Sequence, residues 1–187
     1  MKPKAIIVDI DGTLANIDHR RHFVDPKLNK NYNAQSINIW AWDDPHYQTQ
    51  YFHNETKDKF KPDWKSFNEA MIYDTPNEWC VSIVEIFHRV QEFSIIFVTG
   101  REACFRKITL NQIDEWISDK NGDPIDYILM MRNEKDYRPD TEIKREIYDK
   151  YIKDEHDVLF VIDDRKSVVD MWRSLGLVCL QCAEGNF

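Results

Sequence analysis
Short apolar runs alternate along this chain with longer stretches whose apolar residues recur every three or four positions. The runs read as strands and the periodic stretches as helices. Lys4-Ala5-Ile6-Ile7-Val8 opens a strand over residues 4–9, and Ser94-Ile95-Ile96-Phe97-Val98-Thr99 forms a second over 94–99. Further strands are predicted over 126–131, 157–162 and 177–181. Thr75-Pro76-Asn77-Glu78 has the form of a capping box with proline at the first helical position. The helix it opens is expected to bury Trp79, Ile83, Ile86, Phe87 and Val90. Phe105, Ile108, Gln112, Trp116 and Ile117 mark the next helix, which stops at Asn121-Gly122. Residues 141–152 read as a helix with Ile143, Ile147, Tyr148, Tyr151 and Ile152 inward, and a last helix runs through Val168, Val169, Trp172 and Leu175 to Gly176.

Strands that are short, rich in Ile and Val and separated by helices predict an α/β fold. The expected form is a mostly parallel five-stranded sheet covered by helices on both faces. One segment interrupts it. Residues 25–74 are polar, poor in branched aliphatics and rich in aromatics, among them Tyr32, Trp40, Trp42, Tyr47, Tyr51, Phe52, Phe60, Trp64 and Phe67. This reads as an inserted cap, with 1–24 and 75–187 forming the core. An unstructured loop of that length is uncommon in a compact domain, so the cap is expected to be helical, best over residues 63–70, where Trp64, Phe67 and Met71 have helical spacing.

The 187 residues suffice for one core with a small insertion. No apolar run approaches the roughly 20 residues that span a membrane. Met1-Lys2-Pro3-Lys4 leads into the first strand without a signal-peptide run. The expectation is a cytoplasmic protein with no membrane partner. Four cysteines fit that setting as reduced thiols, and the CxxC spacing of Cys179 and Cys182 lies in a strand with no second ligand pair. A net charge of -8 argues against broad, non-specific duplex binding and leaves room for a local basic patch that grips a strand end.

In parallel sheets ligands bind beyond the carboxyl ends of the strands, at a switch in strand order. Polar residues fall at those ends: Asp9 and Asp11, Thr99 with Gly100 and Arg101, and Asp163 with Asp164. Singly, each has a plain reading, since aspartates suit turns and arginines suit surfaces. Together the four aspartates form an acidic cluster that a hard cation such as Mg2+ neutralises while leaving one carboxylate as a nucleophile. Gly100 lets backbone amides approach an anion. Lys144, either an exposed lysine beside Asp140 and Glu142 or a charge aimed at the cluster, lies in the first turn of its helix. Arg20, Arg101 and Arg138 suit bidentate phosphate binding.

Asp9-x-Asp11-Gly12-Thr13, Thr99-Gly100-Arg101, Lys144, and Asp163-Asp164 with Asp170 downstream resemble, in order, the four motifs of the haloacid dehalogenase (HAD) superfamily. Within it the sequence is most similar to the 3'-phosphatase domain of phage-type polynucleotide kinase. That similarity rests on residues 9–15 with Arg20, on Thr99-Gly100-Arg101-Glu102, on Arg138-Pro139-Asp140 with Lys144, and on Ile162-Asp163-Asp164-Arg165 through Arg173 to Phe187. The Gly-rich loop of a P-loop kinase is absent, and residues 25–74 do not align. The resemblance implies a Rossmann-like HAD core and a Mg2+-dependent phosphatase. Asp9 would be the nucleophile and Asp11 the acid and base. Asp9, the Asp11 carbonyl and the Asp163-Asp164 pair would hold the metal. Thr99 and Lys144 would hold the phosphate, with Arg20, Gly100, Arg101, Arg138 and Asp140 around the substrate. The implied substrate is a 3'-phosphorylated DNA or RNA end, with a separate kinase or ligase as partner. A mononucleotide phosphatase and a receiver-type phosphoacceptor are the rival readings.

Overall fold
The computed structural model describes residues 1–29, 60–89, 93–119 and 121–185. The aromatics from Tyr32 to Phe52, Val90, and the last two residues lie outside the described residues. The chain divides into two compact units, Met1–Asn16 with Asp74 onward, and Ile17–Tyr73.

The first unit is built on five strands: β1 (Lys4–Val8), β4 (Phe93–Glu102), β5 (Ile128–Arg132), β6 (Asp157–Arg165) and β7 (Cys179–Gly185). Their order is β5-β4-β1-β6-β7, and every pairing is parallel. Ala5, Ile6, Ile7 and Val8 are buried because β1 is central and covered on both faces. The chain runs outward from β1 through β4 to β5, then crosses back to β6 and β7, so the switch in strand order lies at β1. Val8 pairs with Phe97 on one side and Ile162 on the other. The polar residues just beyond these three therefore emerge on one rim.

One face of the sheet is covered by α5 (Asp140–Ile147), by a wide turn of helix (Tyr148–Ile152) and by α6 (Lys166–Ser174). Ile143, Ile147, Tyr148, Ile152, Val168, Val169 and Trp172 pack there against Ala5, Ile7, Ile96, Val98 and Val161. Trp172 is fully buried and meets Tyr148 edge to face at 5.9 Å between ring centroids. Tyr151 is exposed, contrary to expectation, because the turn widens at Tyr148 and breaks the 3.6-residue phase. α3 (Glu78–Arg89) and α4 (Arg106–Trp116) complete the unit.

Two expectations for α3 are corrected. Thr75–Pro76 is not its first turn but a short strand, β3, antiparallel to β2 (Ala15–Asn16). The helix also buries Cys80, Val81 and Val84, while Trp79 and Ile86 are exposed. The apolar arc of this helix is wider than the face that packs, and Trp79 and Ile86 lie at its exposed margin. The smaller side chains face inward, and Phe87, half-buried, stacks edge-on with Phe93 and Phe160. Strands β4 and β6 run three residues further than their apolar cores, carrying Gly100, Arg101, Glu102, Asp163, Asp164 and Arg165 within them.

In the second unit the described residues include α1 (Asp18–Arg21) and α2 (Trp64–Glu69), the latter continuing into a three-ten turn, Ala70–Tyr73. Asp63 caps α2, accepting from the Ser66 amide and hydroxyl. Phe67 and Met71 are buried, and Trp64 is exposed against the edge of Phe67. Arg20 is fully buried, its guanidinium 4.2 Å from the centre of the Phe67 ring and donating to the Phe67 carbonyl.

Candidate active site
The turn after β1 separates the two carboxylates that the sequence sets two residues apart. The Ile10 carbonyl accepts from the amides of Thr13 and Ala15, and the Asp9 carbonyl from Leu14. Gly12 makes the reversal at φ +87°, a conformation that costs a side-chain-bearing residue strain. Asp9 and Asp11 then turn to different partners.

Asp9 is buried. Its Oδ1 accepts from Lys144 Nζ at 2.6 Å and its Oδ2 from Thr13 Oγ1 at 3.3 Å. The same Lys144 ammonium donates to Asp163 Oδ2 at 2.8 Å. Asp163 also accepts from Trp172 Nε1 and from the Arg165 amide. Lys144 reaches this position because α5 lies on the sheet with Ile143 and Ile147 and carries the lysine under the rim rather than into solvent; it stands in the last turn of this short helix, not the first as expected. Asp164 closes over the turn: a Cβ on Gly12 would lie 2.5 Å from Asp164 Oδ2. Glycine is required there twice, by its φ and by this contact.

Asp9, Asp163 and Asp164 each place one oxygen within 4.8 Å of the others. Three buried carboxylates face one buried ammonium, and the protonation equilibria record the excess. Burial above all holds the Asp9 carboxyl well above the ordinary range; Lys144 opposes this, and Asp163 and Asp164 add to it. Burial, then the neighbouring Asp163, pushes Asp164 up to about 6. Burial alone would lower Lys144, but Asp163, Asp9 and Asp140 outweigh it and keep the ammonium charged. This donor set fits a small divalent cation. The ligands are hard oxygens gathered at one place, and a double positive charge offsets the excess.

Asp11 stands apart from this cluster. Its Oδ1 accepts from Arg101 Nε at 2.9 Å and Nη2 at 2.6 Å. Arg101 is buried, and its remaining bonds go to Asp74, Thr109 and Gln112. Thr99 is buried, its hydroxyl accepting from the Arg101 amide and keeping its own proton to donate. Gly100 abuts Asp140, whose Oδ1 would be 2.7 Å from a Cβ there. Asp140 in turn accepts from Arg132 and, at 2.6 Å, from Arg165. Arg138 is half-exposed and paired with Asp136 and Glu146. Asp170 is exposed on α6 and paired with Lys166.

The sequence thus named the residues brought together at the rim, Asp9, Thr99, Lys144, Asp163 and Asp164. It did not single out Arg132 or Asp74, nor the bonds that Trp172 makes to Asp163 and Gln112 to Arg101, both of which it had only as helix-face positions. Asp74, a lone aspartate before Thr-Pro, carried no signal.

The fold has known counterparts. A haloacid dehalogenase-like hydrolase of Streptococcus pneumoniae shares the fold at 12% identity, with a TM-score of 0.54 over 95% of this chain and 83% of that one. A chain of the Pnkp1/Rnl/Hen1 RNA repair complex is 27% identical, with a TM-score of 0.63 over all of this chain and 44% of its own. The class is therefore a HAD-type phosphatase, a hydrolase. Residues 56–187 match the polynucleotide kinase PNKP phosphatase domain family, and the chain belongs to that family. A candidate bifunctional polynucleotide kinase/RNA ligase of Autographa californica nuclear polyhedrosis virus is 28% identical over 109 residues, 58% of this chain and 15% of the viral protein. The chain thus spans less than half the length of these two relatives. Membership in a phosphatase family sets aside the phosphoacceptor reading. Among the described residues no helix is long and apolar enough to cross a membrane.

Proposed function
We propose that this protein is a Mg2+-dependent phosphomonoesterase that removes 3'-phosphates from polynucleotide ends through an aspartyl-phosphate. The observation that carries the chemistry is the buried Lys144 between Asp9 and Asp163, beside Asp164. The substrate reading rests on family membership and on relatives named for polynucleotide kinase, RNA ligase and RNA repair.

Asp9, Asp163 and Asp164, with the Asp11 carbonyl, would hold the cation. When bound, Mg2+ would supply Lewis-acid charge neutralisation to the carboxylates and to the phosphate. Lys144 offsets charge on Asp9, and the Thr99 hydroxyl donates to a phosphate oxygen. An Asp9 oxygen attacks phosphorus as the bond to the 3'-oxygen breaks, and the Asp11 carboxyl gives its proton to that oxygen. The Asp11 carboxylate then takes a proton from water, whose oxygen attacks phosphorus and releases inorganic phosphate from Asp9. This is positioning and charge compensation, the main demands of phosphoryl transfer. Arg138, half-exposed beyond β5, is the basic residue assigned to the substrate strand; Arg20, fully buried against Phe67, is withdrawn from that role. A kinase and a ligase activity, on this chain's partners or on a longer chain, would act on the product end.

The test is phosphate release from a 3'-phosphorylated oligonucleotide in Mg2+, beside 3'- and 5'-mononucleotides, with Asp9→Asn as the blank. The expected result is preference for the oligonucleotide, no turnover by Asp9→Asn and none in EDTA. The net charge of -8 favours one rival, a nucleotidase, and preference for mononucleotides would establish it. Turnover by Asp9→Asn would refute the mechanism.

A further inference from the structure
Arg101 carries five N–H donors in one plane, and the structure gives each a partner. Nε and one hydrogen of Nη2 meet Asp11 Oδ1, the other Nη2 hydrogen meets Asp74 Oδ2 at 2.7 Å, and Nη1 meets Thr109 Oγ1 and Gln112 Oε1. A guanidinium so occupied has no donor left for a substrate phosphate. It is a bracket with its open edge on Asp11.

We propose that Asp74 is a positioning residue, which through Arg101 fixes the Asp11 carboxyl where it can protonate the leaving oxygen. The inference rests on the reading of Asp11 as the acid. Three observations carry it. The Asp74 side chain is fully buried, and its bond to Arg101 is a buried ion pair, strong and directional. Both bonds from Arg101 to Asp11 fall on Oδ1, so the fork pins the position of that oxygen and leaves Oδ2 outside the guanidinium's grip. Asp74 is itself tied to the catalytic turn. The next residues form β3 and pair with β2, the Asn77 amide donates to the Leu14 carbonyl, and its side chain donates to the Thr13 carbonyl at 2.8 Å. The turn bearing Asp9 and Asp11 and the residue bracing Arg101 are thus held in one frame. Thr109 and Gln112 alone would leave the Nη2 corner free to swing about Nη1, and with it the Asp11 carboxyl.

The experiment compares kcat/KM on two phosphate esters. Phosphoryl transfer to Asp9 limits kcat/KM, and it needs an acid when the leaving group is the 3'-alkoxide of an oligonucleotide. It does not when p-nitrophenolate leaves. Asp74→Ala is expected to lower kcat/KM on the 3'-phosphorylated oligonucleotide by about 10- to 100-fold and on p-nitrophenyl phosphate by no more than about threefold. Asp74→Asn, which keeps a carbonyl oxygen for Nη2, is expected to recover most of the loss. Equal losses on both esters would make Asp74 merely structural, and wild-type rates on both would make it idle; either overturns the proposal. Asp11→Asn is run alongside. If it too fails to separate the esters, the reading of Asp11 as the acid has failed; if it separates them and Asp74→Ala does not, only the role of Asp74 has.

Discussion

Lys144 Nζ and Asp9 Oδ1 lie 2.6 Å apart across 135 residues of sequence, both buried beneath the sheet rim. The ammonium is shared with Asp163, so its removal strands two carboxylates at once. Breaking a buried pair from one side costs far more than the pair contributes, because the remaining charge has no partner. Lys144→Met keeps the packing volume and is expected to cost about 3–5 kcal/mol in the metal-free protein. Turnover should fall about 10²- to 10³-fold, as when a preorganised charge is lost from a transition state. Added Mg2+ is expected to recover part of the stability and little of the rate. Urea denaturation with and without EDTA, beside phosphate release, measures both.

The metal-free site stores an unfavourable charge balance, and pH should reveal it. Asp164 in the folded protein titrates at about 6, against an ordinary value of 3.8. The folded state therefore holds this proton more tightly than the unfolded chain. Its contribution is fully present below the ordinary value and is lost as pH rises through about 6. The loss amounts to roughly 3 kcal/mol, at about 1.4 kcal/mol per unit. Asp9 shifts in the same direction. In EDTA, Asp164→Asn is thus expected to be more stable than the wild type at neutral pH and equal to it near pH 4. Saturating Mg2+ should reverse the order at neutral pH. A substituted protein no more stable than wild type in EDTA at neutral pH would mean that Asp164 carries no such burden.

Gly100 and Asp140 are expected to behave as a coupled pair. A Cβ at Gly100 would stand 2.7 Å from Asp140 Oδ1, too close for both to stay. The carboxylate it displaces is the one that joins Arg132 to Arg165. Gly100→Ala should cost about 1–3 kcal/mol, as overpacking does. With Asp140→Ala the clash is gone, so the double variant should be more stable than the sum of the two single losses by about 0.5–3 kcal/mol. Strict additivity in urea denaturation would show that the two side chains do not share the space.

Much of this was legible in the chain. Ala5-Ile6-Ile7-Val8 reads as a buried strand, because nothing in it suits water on either face. Its position before Asp9 fixed where the acids would emerge. The apolar cores of β4 and β6 placed Thr99 at the end of one and Asp163 just beyond the other, although both strands run on for three polar residues that apolar character does not mark. Where the apolar arc of a helix is wider than the face that packs, as in α3, periodicity does not say which part of the arc is covered, and Cys80, Val81 and Val84 rather than Trp79 and Ile86 went inward.

The sequence by itself determined the alternation of strand and helix, and with it the rim that gathers Asp9, Thr99, Asp163 and Asp164. Both follow from local hydrophobicity and the geometry of parallel sheets, which need no knowledge of distant contacts. Only the tertiary structure decided what each polar group faces. Asp9 and Asp11, two residues apart, part company at Gly12, one meeting Lys144 and the other Arg101. Arg101, legible as a phosphate binder from its motif, is filled by Asp11, Asp74, Thr109 and Gln112, brought to it from separate elements. Charge and hydrogen-bonding capacity are written in a residue's type, but the partner that satisfies them is chosen by whichever side chains the fold brings within about 3 Å.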